Sequence, residues 1–346
     1  MNPDPSRLNF SHNWEKLKNW APVSIEFGKS MPVIKWRDLR TIDFREPFFF
    51  QTVNRVREED KDGEVTTGIG ELLRLENLVD SVPPNGFIFH VSRCGSTLVS
   101  NALRTLDRTI VMSEAHPISA AVWLHFDTKN PAQSHELFRG LLLRAILRVL
   151  GQKVTGAEDK YFIKFANVDI LQIKHIRQIW PSVPWIFMIR NPEEVIVSNM
   201  RKESTWIRIE SHLEESAIML GCETEEVRNM SREEYGARMI GQTCSAAAEN
   251  VDDNSMFIDY SELTSETLVK IARFFGVDPS PLELSKIYET GALYSKDPTK
   301  VFQSDSEGKR QEASALIRAQ SDKWAMEGYL KALAIANRHL DNTTLP

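Results

Sequence analysis

Two short stretches hold residues whose types and spacing suit chemistry on an anion. The first, Ser92-Arg93-Cys94-Gly95-Ser96-Thr97, joins an apolar run over residues 87–91 to a helical pattern over residues 96–106. A strand–turn–helix of this kind presents the backbone N–H groups of residues 94–97 at a helix N-terminus, where the helix dipole favours negative charge. Gly95 lets the backbone approach a ligand closely, Ser96 and Thr97 add hydroxyl donors, and Arg93 adds a fixed positive charge. Hydrogen bonds to a charged partner contribute about 1.5–3 kcal/mol each. The second stretch, PWIFMIRNPEEVIVSN over residues 184–199, is an apolar strand pattern ending at Arg190, followed by Asn191-Pro192 at the opening of a helix. Proline suits the first helical turn, where its missing N–H costs nothing. Asn191, Val195 and Ser198 share one helical face, so Arg190 and Ser198 could converge on a second phosphate beside the first loop.

The elements that must position these residues alternate from residue 86 onward. Strand patterns fall at 87–91, 109–112, 161–165, 185–189 and 256–260, with helical patterns at 96–106, 118–125, 136–150, 170–180 and 266–275 between and after them. Alternation of this type predicts an α/β fold: a three-layer parallel sheet flanked by helices, with ligands beyond the carboxyl ends of the strands. Residues 1–80 carry Trp14, Trp20, Trp36 and Phe48-Phe49-Phe50, an aromatic density that calls for burial against the main domain. The charged run 55–62 reads as a solvated stretch, and 69–79 as a helix. Residues 81–346 form the main domain, and 203–250 within it read as a helical lid, with Ser231 and Glu234 spaced as a capping box. A last long helix is expected over 312–337.

Composition narrows the function. The chain has 346 residues, 42% hydrophobic and 26% charged, as in ordinary soluble proteins. A net charge of −6 argues against a nucleic-acid partner, which would want a basic face. Cys94, Cys222 and Cys244 include no C-x-x-C pair, so neither a disulfide framework nor a zinc site is expected. With no signal-peptide core and no membrane-length apolar run, a cytoplasmic protein without a membrane partner is expected.

Taken together, the two stretches resemble the cofactor signatures of sulfotransferases that use 3′-phosphoadenosine 5′-phosphosulfate (PAPS). In that family a Pro-Lys/Arg-Ser-Gly-Thr/Ser-Thr loop holds the 5′-phosphosulfate, and an Arg followed eight residues later by a Ser holds the 3′-phosphate. Here Ser92 stands for the loop's proline and Cys94 for its serine, while the Arg190–Ser198 spacing matches. The resemblance covers most of residues 86–310 and is stronger to a bacterial branch with HVSRCGSTL-type loops. It implies the P-loop-like sulfotransferase fold, PAPS as co-substrate with 3′-phosphoadenosine 5′-phosphate (PAP) as product, no metal, and transfer of a sulfuryl group to a small-molecule hydroxyl or amine by in-line displacement.

Roles follow by the same resemblance. Arg93 would stabilise the leaving charge, and Cys94, Gly95, Ser96 and Thr97 would complete the 5′-phosphate site. Lys164 matches a strand-end lysine that approaches the sulfuryl group, with a plain surface lysine as the competing reading. Animal cytosolic members place a histidine base where Ala166 stands, so the base falls to Glu114 first and His116 second, both just past the second strand. A glutamate base near neutral pH needs a raised pKa or a tightly held acceptor. His90 reads as a buried residue bonded locally. Tyr260 lies where a family tyrosine approaches adenine, and Lys309 and Arg310 match late basic contacts to the 3′-phosphate, against the alternative of a solvated loop. The adenine-stacking tryptophan of many cytosolic members is Leu98 here. Two other classes stay open: an ATP-dependent P-loop kinase, though lysine is missing where Ser96 stands, and a non-catalytic nucleotide-binding module. A homodimer is among the assemblies the chain could form.

Overall fold

The computed structural model describes residues 17–26, 32–39, 42, 44, 46–124, 133–202, 205–292 and 306–341. Two compact units are present, Met1–Pro83 with Ala115–Asp159, and Pro84–Glu114 with Lys160–Pro346. The first unit also takes in residues 115–159, because helices His116–Val122 and Gln133–Leu150 pack on its first strand and on each other.

The first unit holds an antiparallel sheet, β1 (Trp20–Glu26), β2 (Val33–Asp38) and β3 (Glu64–Gly68), in that order. Ile34 and Trp36 alternate inward along β2 and are fully buried, as period-two burial requires. The Trp36 indole Nε1 donates to Thr67 Oγ1 of β3 at 2.9 Å, so its polar atom is satisfied. Pro22 sits in the edge strand β1 next to a register shift, where its missing N–H is tolerated. Part of the charged run 55–62 lies in helix Phe49–Glu59, which buries Thr52, Val53 and Val56 on one face.

The second unit is a five-stranded parallel sheet: β4 (Gly86–His90), β5 (Thr109–Ser113), β6 (Lys160–Lys164), β7 (Trp185–Ile189) and β8 (Ser255–Asp259), in the order β5-β6-β4-β7-β8. β4 and β7 are buried at every position, the mark of strands covered on both faces. The helices form two groups. Ser96–Arg104, Ser265–Phe274 and Pro281–Ala292 pack together, and Arg232–Ala248 packs with Pro192–Lys202 and the C-terminal helix. This is the α/β class, with a helix-flanked parallel sheet, that the sequence implies. β4 is central and both its neighbours come later in the chain, which puts the strand-order reversal at its carboxyl end.

One departure from expectation comes with a contact between residues distant in the chain. The C-terminal helix is interrupted: Ala315–Gln320 leads into a π-helical turn, Ser321–Ala325, before Met326–Asp341. At this turn the Trp324 carbonyl presses on Gly241, where an added Cβ would lie 2.0 Å from it, so the two backbones touch through a glycine. The 203–250 stretch expected as a lid has two parts. Ile209, Ala217, Leu220, Val227, Met230, Tyr235 and Met239 form an apolar cluster with Trp206 against it, while Arg232–Ala248 lies along the C-terminal helix. Ser231 caps that helix by accepting from Glu234 N at 3.1 Å. Among the described residues no helix is long and apolar enough to cross a membrane.

Candidate functional site

Each strand of the parallel sheet delivers one candidate residue at or just past its carboxyl end. Arg93 follows β4, Glu114 follows β5, Lys164 ends β6, Arg190 follows β7 and Tyr260 follows β8. Three hydrogen bonds extend the ladder past the strand ends: Val91 N to Met188 O (2.9 Å), Phe165 N to Ile88 O (3.0 Å) and Glu114 N to Lys164 O (2.7 Å). These tie the loop roots together, so the side chains rest on a rigid edge.

The loop turns sharply. Arg93 has φ +61° and Gly95 φ +86°, with helix Ser96–Arg104 starting directly after. An arginine in left-handed backbone is uncommon and strained, a condition that concentrates at ligand sites. At Gly95 an added Cβ would lie 2.4 Å from Leu263 Cδ2 and 3.3 Å from the Tyr260 ring, so only glycine fits the cradle. Ser96 and Thr97 are buried, and the first N–H groups of their helix have no partner within it. The Cys94 thiol donates to Val91 O at 2.8 Å, closing the turn from beneath.

The two anion stretches meet. Arg93 Nε donates to Ser198 Oγ at 2.8 Å, and Arg190 Nη1 donates to Arg93 O at 3.0 Å. Arg190 is buried, with its guanidinium 3.9 Å over the Tyr260 ring. Glu194, one helical turn on, accepts from Arg190 Nε at 2.8 Å and from Arg310 Nε at 2.7 Å, and Arg190 Nη2 reaches Ser306 Oγ at 3.2 Å. Burial works against the Glu194 charge, but hydrogen bonds from Arg190, Ser306 and Arg310 hold its carboxyl below the usual range. Lys309 and Arg310 lie on helix Ser306–Glu312, with Lys309 buried, where the sequence offered a solvated loop as the alternative.

On the other side of the loop, Lys164 Nζ donates to Glu114 Oε1, and His90 Nε2 lies 3.4 Å from the same oxygen. Lys164 is 1% exposed and so is no surface lysine. Glu114 also takes a left-handed backbone, φ +53°. Burial pushes its carboxyl upward, yet Lys164 and His90 outweigh this and bring the pKa down to about 2. The raised pKa that a glutamate base would want is therefore absent while Lys164 is paired with it. His90, inside β4, has Nδ1 2.9 Å from Val91 O and Nε2 3.1 Å from Phe165 O. His116 opens helix His116–Val122 in the first unit and lines a cavity of about 670 Å³ with Val23, Phe49, Val53 and Arg57. Burial, with Arg57 nearby, lowers its pKa and favours the neutral ring.

The sequence did not single out four contributors. Glu194 orients Arg190, Asn199 Oδ1 accepts from Ser92 Oγ at 3.1 Å, Trp206 Nε1 donates to Ser92 Oγ at 3.3 Å, and Leu263 walls the cradle at Gly95. Only Glu194 had a signal available, since it lies four residues after Arg190, in the first turn of the helix that Pro192 opens. Basic groups outnumber acidic ones here, with Arg93, Lys164, Arg190 and Arg310 against Glu114 and Glu194, in a chain whose net charge is −6.

No protein-family model matches the chain, and no curated protein matches it. Among solved structures it is similar to a sulfotransferase from Alicyclobacillus acidocaldarius, at 16% identity and a TM-score of 0.36 over 70% of this chain and 96% of that one. It is also similar to the sulfotransferase domain of the curacin biosynthetic pathway, at 14% identity and a TM-score of 0.38 over 75% and 98%. The sulfotransferase domain of the Synechococcus PCC 7002 olefin synthase shows 16% identity and a TM-score of 0.36 over 75% and 96%.

Proposed function

We propose that this protein is a PAPS-dependent sulfotransferase acting on a hydroxyl or amine of a small-molecule acceptor. One observation carries the reading: the Arg93–Ser198 hydrogen bond and the Arg190–Arg93 carbonyl bond join stretches about a hundred residues apart in sequence, as a single two-anion clamp would require. ATP can fill only one half of such a clamp.

The residues fit the donor. The glycine-only cradle at Gly95 and the open N–H groups of the following helix suit its 5′-phosphate. Arg190, Ser198 and Arg310, with Lys309 on the same short helix, suit its 3′-phosphate, and Tyr260 stands beside Arg190 for the base. PAPS supplies an activated sulfuryl group on a phosphate leaving group. Arg93 would supply positive charge to stabilise the bridging oxygen as it gathers negative charge, and the loop N–H groups would hold the 5′-phosphate. Lys164 is the cation that can turn from Glu114 to the transferring group. Glu114, relieved of that partner, becomes the stronger base and takes the acceptor's proton. Half-buried hydrogen bonds of Ser92 with Asn199 and Trp206 hold the base of the loop.

Thermal denaturation with added nucleotide tests the reading. PAP is expected to raise the melting temperature strongly, and ATP with magnesium much less. Equal shifts would contradict it. If PAP binds and Glu114→Ala abolishes transfer without weakening that binding, the enzyme reading stands against a non-catalytic module.

A further inference from the structure

His90 makes contacts that a neutral imidazole cannot satisfy. Both ring nitrogens face backbone carbonyls, Nδ1 towards Val91 O at 2.9 Å and Nε2 towards Phe165 O at 3.1 Å, in a side chain only 5% exposed. A neutral ring has one N–H and one lone pair, so one nitrogen would point its lone pair at an oxygen lone pair in a buried site. A doubly protonated ring donates to both. Its Nε2 also lies 3.4 Å from Glu114 Oε1, which supplies the counter-charge.

We propose that His90 is a positioning residue held as an imidazolium, clamping the carbonyl ahead of the anion loop to the carbonyl behind Lys164 and steadying Glu114 between them. The two carbonyls belong to the residues that root Arg93 and follow Lys164, so the ring sets the spacing between the loop and the end of β6. The charged and titratable groups facing it are the Cys94 thiol from the loop, Glu114 from past β5 and Lys164 from the end of β6. Burial opposes its charge, but Cys94 and Glu114 outweigh burial and the Lys164 repulsion and lift the ring to about 9. The cluster then contains two cations, His90 and Lys164, and one carboxylate, Glu114. That surplus of one positive charge is matched when an anion enters beside Lys164. Lys164 can leave Glu114 for the anion while His90 keeps the carboxylate in place and ionised.

Two measurements test this. The first does not depend on activity: nitrogen-15 imidazole spectra of the native protein at pH 7.5, with His90 assigned by through-space contacts to Val91 and Phe165. Protons on both ring nitrogens, persisting above pH 8, are expected. A singly protonated ring at pH 7.5 would overturn the proposal whether or not the protein transfers sulfuryl groups. The second rests on the sulfotransferase reading: steady-state kinetics of His90→Gln, which keeps one donor and removes the charge. Donor KM is expected within about twofold, with kcat down about tenfold, the size of losing one hydrogen bond to a charged group. The acid limb of kcat should move roughly one pH unit upward as Glu114 loses a cation. A folded His90→Gln enzyme with unchanged kcat and acid limb would overturn the positioning role.

Discussion

Replacing Gly95 by alanine should damage both stability and nucleotide binding, by an amount that can be worked out. Gly95 has φ +86°, and a side chain in left-handed backbone costs about 1–2 kcal/mol. The new methyl would lie 2.4 Å from Leu263 Cδ2 against an ordinary carbon contact of about 3.5–4.0 Å, so that side chain must move by more than an ångström. The methyl's other neighbour, the Tyr260 ring at 3.3 Å, is covered by the Arg190 guanidinium and is not free to recede. Overpacking of this kind costs a further ~1–3 kcal/mol, for a total of about 2–5. Gly276→Ala is the matched control: φ is +78° with nothing within 4 Å of the added Cβ, so only the backbone cost remains. The assay is denaturant unfolding of both variants, with calorimetric titration of PAP. Gly95→Ala should be the less stable by about 1–3 kcal/mol and should lose most of its PAP affinity, while Gly276→Ala keeps it. Equal destabilisation, or unchanged PAP binding in Gly95→Ala, would refute the tight cradle.

Arg310→Ala should weaken PAP by roughly tenfold or more while changing stability by no more than about 1 kcal/mol, because its side chain is 60% exposed; paired titration and unfolding separate the two effects. Native stability should also report the His90 cluster. The ring is raised from 6.5 to about 9, so its contribution is full below pH 6.5 and lost as pH climbs through about 9, up to about 3 kcal/mol. A His90→Leu protein should show a flatter stability profile over that interval, and a parallel profile would count against the assignment. Glu114, lowered from 4.5 to about 2, stabilises above pH 4.5 and loses its contribution as pH falls through about 2, which acid unfolding of wild type and Glu114→Gln compares. Trp206→Phe removes the indole donor to Ser92 and should cost about 1 kcal/mol with little change in kcat, read by unfolding and turnover together.

The parallel sheet was legible because its strands are short apolar runs punctuated by residues with fixed habits. Pro192 opened the helix after β7, and Ser92 to Gly95 marked the turn after β4. The placement of Arg93 and Arg190 past strand ends, and of Ser198 on the helix after β7, was readable because each lies close to such a marker. The first unit's sheet was not readable, since the Pro22 register shift breaks the alternation of β1 and a helix separates β2 from β3. The C-terminal π turn depends on Gly241 meeting Trp324, a contact between residues far apart in the chain. His90 reads as a local hydrogen-bonder from sequence, and its second carbonyl, from Phe165, follows only from the pairing of β4 with β6. The depressed Glu114 carboxyl is a product of the pairing of β5 with β6, which sets Lys164 beside it. Glu194 is local to Arg190, yet its second partner, Arg310, arrives from a helix over a hundred residues later.

The central claim is that one clamp holds two phosphate groups of a single nucleotide. Isothermal titration with PAP and with adenosine 5′-phosphate, which lacks the 3′-phosphate, tests it most directly. Two or more charge-assisted hydrogen bonds at Arg190, Ser198 and Arg310 should make PAP the tighter ligand by at least about a hundredfold. Equal affinities for the two nucleotides would contradict the clamp.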